Sequence, residues 1–310
     1  MSRKKRIKIS IILSVNHSIF HLIRCLEALK PQLKKIDEII VVGNKNIIKP
    51  ITSSLITKNQ PNVTFYVSSE KSRQRNIGLK YIKGNIIVFI DDDCIVISDW
   101  LYRVRKLSRI SPKNIYQGNI KNILSDNSFI NRFFLRIITD EWDKATSKFK
   151  KKEKNYINFL HSECFFLPKD TLLELIRFFN KKTDFLDQGI LLTTGLQLIG
   201  YKIVYDPKLN IQHYKEKITF CVFLRKILSR GYQIAVIERK YAVRSRLVKK
   251  LFVKQISHLN DDNKNNIFKL ANNFLPEGRL VWLQAVLFLI IKHISYSVGY
   301  LIGWYLYRLK

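Results

Sequence analysis

A short apolar run, Ile86-Ile87-Val88-Phe89-Ile90, ends in three consecutive carboxylates, Asp91, Asp92 and Asp93. The run is rich in β-branched residues and follows Lys83-Gly84-Asn85, the pattern of a buried strand entered from a turn. Concentrated charge at the end of a buried strand leaves few folds open. In open α/β sheets, ligands sit outside the carboxyl ends of the strands. Side chains alternate along an extended backbone, which sets Asp91 and Asp93 on one side and Asp92 on the other. Two carboxylates on one face form a hard oxygen site suited to Mg2+ or Mn2+ and shared with substrate phosphates. A solvated acidic turn or a helix cap would use the same residues. The buried strand and the upstream Arg75-Asn76-Ile77-Gly78 favour the ligand site.

The flanking segments alternate between the two periods. Ile9 to Val15 reads as a strand ended by Asn16 and His17, and Phe20 to Leu33 as an amphipathic helix. Asp37 to Val42 is a second strand running into Gly43-Asn44; a short helix lies near Ile51 to Lys58; Asn62 to Val67 is a third strand. Gln74 to Ile82 returns to helical spacing before the Ile86 strand. Strands alternating with helices predict an α/β sandwich around a mostly parallel, doubly wound sheet. Further on come a helix from Trp100 to Ser108, a strand from Asn114 to Ile120 and a helix from Phe129 to Phe149. A strand from Ser162 to Leu167 follows, then helices from Thr171 to Phe179 and up to Ile199. A last short strand, Tyr201 to Tyr205, is closed by Asp206-Pro207.

From Ile218 the pattern is helical, which divides the chain into domains at residues 1–215 and 216–310. Leu280 to Tyr307 is apolar and long enough to cross a bilayer, for which ~20 residues are needed. Lys292 and His293 fall in its middle, and a lysine at the bilayer centre costs about 2.5 kcal/mol or more. Two amphipathic or re-entrant helices on the inner leaflet are therefore expected in place of one span. A buried core helix pair is the alternative.

The chain carries 55 Lys+Arg against 24 Asp+Glu, a formal charge of +31, which calls for an anionic partner. Nucleic acid is set aside, because the aromatics are interleaved with aliphatics as core and are not spaced among arginines as stacking platforms. The basic stretch Tyr241 to Leu251 beside an apolar tail is the composition of an anchor on an anionic membrane surface, at the cytoplasmic face. Cys25, Cys94, Cys164 and Cys221 lie far apart, which fits neither a zinc site nor a disulfide framework and suits a reducing compartment. The basic start leads into Ile7 to Val15, but no small-residue cleavage site follows, so the run reads as a strand and not an export signal.

In this order the motifs resemble the family-2 glycosyltransferases of GT-A type. The residues that carry the resemblance begin with Leu13-Ser14-Val15-Asn16, Gln74-Arg75-Asn76-Ile77-Gly78 and Phe89-Ile90-Asp91-Asp92-Asp93. They continue with Phe165-Phe166-Leu167-Pro168-Lys169, then Gly200 to Ile203 with Asp206-Pro207 and His213. The resemblance implies a Rossmann-like, nucleotide-sugar-binding sandwich with C-terminal membrane-associating helices. It implies inverting, metal-dependent transfer of a sugar from a nucleotide-diphosphate donor to a cell-surface glycan or lipid-linked acceptor. Asp91 would serve the ribose or the metal, Asp93 the metal, and His213 the metal or the diphosphate. Asn16, Arg75 and Asn76 would line the nucleotide cleft.

Two departures from the family pattern stand out. Where the family has Asp-Asp-Gly-Ser, this chain has Gly43-Asn44-Lys45, leaving Asn44 to hydrogen-bond the base. The family's acidic pair that supplies the catalytic base survives only as Asp187-Gln188. Asp187 is then the first candidate base, and Glu163, read as lying on a strand that lines the same cleft, is the reserve. These departures also keep open a catalytically altered GT-A-like protein that acts as a membrane-bound binding partner.

Overall fold

The structure is a computed structural model of the 310-residue chain. It describes residues 6–16, 18–53, 62–68, 73–124, 126–136, 156–157, 160–161, 163–178, 189–215, 217–241, 271, 276 and 278–306. The chain forms two units, Met1–Ile123 with Ala145–Lys215, and Leu124–Lys144 with Glu216–Lys310.

In the first unit β1 (Ile9–Val15), β2 (Glu38–Gly43), β3 (Val63–Val67) and β4 (Ile86–Asp91) run parallel in the order β3-β2-β1-β4. Between them lie α1 (Ile19–Leu29), α2 (Lys45–Ser53) and α3 (Gln74–Leu79). β1 is buried along its whole length and β4 up to Ile90, which is why both read as continuous apolar runs. Ile11, Leu13, Val88 and Ile90 pack in one core with Leu26 and Trp100. The register sets Ser14 beside Asp91, so the polar ends of β1 and β4 meet at one edge.

Beyond β4 the chain turns through Asp92 and Asp93 into β5 (Cys94–Val96). Then come α4 (Trp100–Ile110), β6 (Ile115–Leu124), β7 (Tyr156–Ile157), β8 (Cys164–Pro168), α5 (Lys169–Phe178), α6 (Gly189–Leu198) and β9 (Ile203–Lys215). β8 runs antiparallel to β4 and β6, and β9 antiparallel to β5 and β7. The sheet is thus mixed: parallel through its first four strands, with antiparallel pairs β4–β8, β6–β8, β5–β9 and β7–β9 beyond. Parallel neighbours need a long crossover. The short turn after β4 gives none, and β4's free edge is taken by β8.

Three boundaries differ from the sequence expectation. α1 stops at Leu29 and gives way to a 3-10 turn over Lys30–Gln32, where Pro31 lacks the N–H to continue an α-helix. α2 starts at Lys45, well before Ile51, because Asn44 Oδ1 accepts from Ile47 N at 3.0 Å and caps it. β9 does not end at Asp206-Pro207 but continues to Lys215. It lies beside β6 and pairs with β7 at Ile203 and Val204 and with β5 at Ile211 to His213; exposed Pro207 falls between the β7 and β5 pairings. Arg103 of α4 holds the handover in place, its Nε and Nη2 donating to Asp206 at 3.0 and 2.7 Å.

A buried ion pair ties α4 to the start of β2. Asp37 accepts from Ile9 N at 3.0 Å, from Lys34 N at 2.8 Å and from Arg105. Asp37→Ala would leave the Arg105 guanidinium buried without its counter-charge. The expected loss is about 3–5 kcal/mol of stability, read as a lowered denaturant midpoint. An unchanged midpoint would show that the pair contributes nothing.

In the second unit, 129–136 is helical, followed by α7 (Phe220–Tyr241) and α8 (Arg279–Leu306). Phe133, Phe223 and Leu289 pack together with Phe288, whose ring centroid lies 5.3 Å from that of Phe133. Asn131 Oδ1 accepts from Ile218 N at 2.9 Å and anchors the lead-in to α7. α7 and α8 approach at backbone distance. A Cβ on Gly299 would lie 2.1 Å from Leu228 O, and one on Gly231 2.1 Å from Tyr296 O. Small residues at such a seam let helices touch closely.

α8 is one continuous helix of 28 residues, about 42 Å long, where two were expected. Gly299 and Gly303 do not break it, because both pack against α7. Leu280, Leu283, Leu287, Ile290, Ile294 and Leu301 are exposed at spacings of three, four and seven residues and form one apolar stripe. Among the described residues it is the one helix long and apolar enough to cross a membrane. Residues 242–270, with most of the basic stretch after Tyr241, lie outside the described residues.

Candidate active site

The carboxyl ends of β1 and β4 meet the α3 helix at Asp91. Its Oδ1 accepts from Arg75 Nη2 at 2.8 Å and from Ser14 Oγ at 3.3 Å. The Arg75 side chain is only 6% exposed, so water screens its charge little from this carboxylate. Burial pushes the Asp91 carboxyl up; Arg75 opposes the rise, and the Glu163 and Asp93 carboxylates add to it. Asp92 is fully buried, and its Oδ1 accepts from Asn16 N at 3.3 Å, which pins the end of β1.

Asp93 reaches the site by a turn, not by strand alternation. Tyr214 N of β9 donates to Asp93 O at 2.9 Å, and Cys94 is paired with His213 across β5 and β9. Asp93 Oδ2 lies 3.0 Å from His213 Nε2, both side chains being 4% exposed. Glu163 sits just before β8, not on it. Its carbonyl accepts from Asp91 N at 3.2 Å. Its carboxylate lies 3.4 Å from His161 Nδ1 and 3.9 Å from Lys215 Nζ. Burial pushes the Glu163 carboxyl up, but the His161 hydrogen bond and charge, Lys215 and His213 outweigh it and hold it well below its ordinary value.

Arg75, Asp91, Asp93, Glu163 and His213 are thus brought together. Asn76 is on α3 beside Arg75, with its Oδ1 buried and without a hydrogen-bond partner among the described residues. Gln74 Oε1 is in the same condition, while its amide donates to Val15 O at 3.2 Å. Asn44 stands at the end of β2 with its side-chain oxygen engaged as the α2 cap. Asp187 and Gln188, like His17, lie outside the described residues. Sequence reading missed His161 and Lys215, and it set Asp92 on the opposite side of the strand without a role. For Lys215 the available signal was its place two residues after His213 on one strand face.

The donor set fits a divalent ion. Lys215 Nζ lies 3.2 Å from the same His213 Nε2 that faces Asp93. A carboxylate only accepts and an ammonium only donates, so Nε2 cannot satisfy both. A cation between Asp93 Oδ2 and Nε2 satisfies both acceptors at once. His213 Nδ1 is buried and has no partner in the described structure, which leaves it available to carry the ring proton. Cys94 completes a ligand-type cluster whose atoms lie within 4.8 Å of one another. Burial, with the Asp93 and Asp91 charges, pushes its thiol well up, which makes it a poor ligand beside the other two.

Comparison with known proteins gives the family. The sequence profile of Glycosyl transferase family 2 matches residues 10–176, which run from β1 through most of α5. The chain belongs to that family. This glycosyltransferase has the GT-A fold, and solved structures share it at low identity. Mannosyltransferase PcManGT from Pyrobaculum calidifontis, in complex with GDP-Man and Mn2+, is 14% identical with a TM-score of 0.57, over 98% of this chain and 87% of that one. S. aureus TarS 1-349, in complex with UDP-GlcNAc, is 13% identical with a TM-score of 0.57, over 97% and 92%. GalNAc-T7 with UDP, GalNAc and Mn2+ is 11% identical with a TM-score of 0.54; the match covers 84% of this chain and 59% of the GalNAc-T7 chain. No curated protein matches the sequence.

Proposed function

We propose that this glycosyltransferase moves a sugar, with inversion, from a nucleoside-diphosphate donor to a cell-surface glycan or lipid-linked acceptor at the cytoplasmic membrane face. The observation that carries the reading is the buried Asp93–His213 pair, 3.0 Å apart, beside the Arg75-bound Asp91. Asp93 and His213 would hold Mn2+ or Mg2+, and the imidazole in the set favours Mn2+. Bound there, the ion neutralises the charge that develops on the leaving diphosphate.

The chain's own residues do the rest. Arg75 fixes the Asp91 carboxylate at the mouth of the β1–β4 edge, where it can take a ribose hydroxyl or the ion. The buried oxygens of Gln74 and Asn76 are acceptors in want of donors, which a nucleotide's hydroxyl or amine supplies. Glu163, anionic across the neutral range, takes the proton of the acceptor hydroxyl as that oxygen bonds to the anomeric carbon and the diphosphate leaves from the opposite face. The test is a screen of nucleotide sugars for Mn2+-dependent thermal stabilisation, followed by turnover with the best binder. A chain that no nucleotide sugar stabilises, with or without Mn2+, would overturn the reading.

The membrane part of the proposal is carried by the α8 stripe. Burying one large aliphatic side chain stabilises by about 1.5–3 kcal/mol. Leu287→Lys with Ile294→Lys, both at exposed positions, is therefore expected to weaken partition into anionic vesicles by about tenfold or more. Co-sedimentation equal to that of the unaltered chain would place the membrane contact elsewhere.

A further inference from the structure

Lys215 is the last residue of β9 and lies on the face of the strand that carries His213. Its side chain is 19% exposed, with Nζ 3.2 Å from His213 Nε2 and 3.9 Å from Glu163 Oε1. Asp93 Oδ2 stands 3.0 Å from the same Nε2. If Nε2 carries a proton, it serves Asp93 and opposes Lys215. If it carries a lone pair, it serves Lys215 and opposes Asp93. Either way the ammonium rests on the nitrogen a divalent ion would use, and next to the carboxylate of Glu163.

We propose that Lys215 is an internal cation of this site, which holds His213 and Glu163 in the ion's absence and must leave Nε2 before the ion can bind. The inference rests on Asp93 and His213 being the ion's ligands. Its physical content is competition. A single positive charge a few ångströms from a divalent ion opposes its entry, and water screens the repulsion poorly where His213 and Asp93 are almost fully buried. The flexible four-carbon stem and the partial exposure of Lys215 let the ammonium withdraw without moving β9. Once withdrawn it remains beside Glu163, or turns to the donor's phosphates, so the ion's arrival frees a positive charge for the leaving group.

The test is Mn2+ titration of the full chain without donor, with free Mn2+ read by electron paramagnetic resonance. Lys215→Met keeps the stem and removes the charge. It is expected to lower the Mn2+ Kd by about tenfold or more, while Lys215→Arg, which keeps the charge, stays close to the unaltered chain. Asp93→Asn is expected to lose Mn2+ binding. If Lys215→Met binds Mn2+ no more tightly than the unaltered chain while Asp93→Asn loses it, the competition is wrong and the ligand assignment stands. If Asp93→Asn binds Mn2+ like the unaltered chain, the ligand assignment fails and the role of Lys215 falls with it. Lys215→Gln, a second neutral variant, guards against a fold effect: tightening in both neutral variants supports the competition, and tightening in neither overturns it.

Discussion

Asp93→Ala is expected to abolish Mn2+-dependent donor binding and to lower turnover by about a thousandfold, since an ion on the leaving diphosphate supplies several kcal/mol and each 1.36 kcal/mol is a factor of ten. The fold should survive. Asp93 enters through a turn, and its structural contact to β9 is made by the main chain, from Tyr214 N to Asp93 O. The carboxylate faces His213 Nε2, and Lys215 Nζ is already within 3.2 Å of that nitrogen. With Asp93 gone, Nε2 serves Lys215 alone and the conflict between its two neighbours disappears. The loss should therefore be read in donor binding and turnover, with the thermal midpoint little changed. Asp92→Ala makes the contrast. It removes the acceptor for Asn16 N and should loosen the end of β1 while leaving Mn2+ binding in place. Full activity in Asp93→Ala would sink the metal assignment.

Much of the first unit was legible because its signals are local. Each of β1, β2 and β4 is a β-branched apolar run bounded by turn residues, and burial on both faces of a parallel sheet demands that composition. Asp91 was placed correctly at a strand end for the same reason. The partners of the triplet are different in kind. His213 stands 120 residues from Asp93, and what joins them is the β5–β9 register, which no local period encodes. Pro207 read as the end of a strand, since proline cannot donate to a ladder. The strand continues because β6, β7 and β5 pair with it on either side of that point, a tertiary fact. Lys215 was hidden by the same error.

Two other readings failed through single residues with two uses. Asn44 reads as a turn residue, and its side chain turns out to cap the next helix, which moves α2 several residues toward the N-terminus. Lys292 and His293 read as a break in the apolar tail. In the helix His293 is exposed and Lys292 half-buried, and α8 runs through both without interruption. Charge within an apolar run decides which face is wet before it decides whether the helix ends.

Glu163→Gln is expected to lower turnover by about a hundredfold or more, the scale of a lost general base, with donor binding nearly unchanged. The low affinity of Glu163 for protons looks unfavourable for a base. It is compatible with one that acts late, because the acceptor oxygen becomes strongly acidic only as its bond to the sugar forms. His161 and Lys215 then have a clear effect: they keep the carboxylate ionised and in place. The same depression predicts a stability signature in the metal-free protein. A carboxyl whose folded value lies below its unfolded value, about 4.3 for Glu, stabilises the fold fully above that value and loses the contribution as pH falls through the folded one. The stability gap between the unaltered chain and Glu163→Gln should hold from neutral pH down to about pH 5, begin to narrow below about pH 4 and close only as pH falls through the lower folded value. A gap that does not vary with pH would show that Glu163 is not held as described. If Glu163→Gln turns over normally and Asp187→Asn does not, the base is Asp187; normal turnover in both would remove the base from this region altogether.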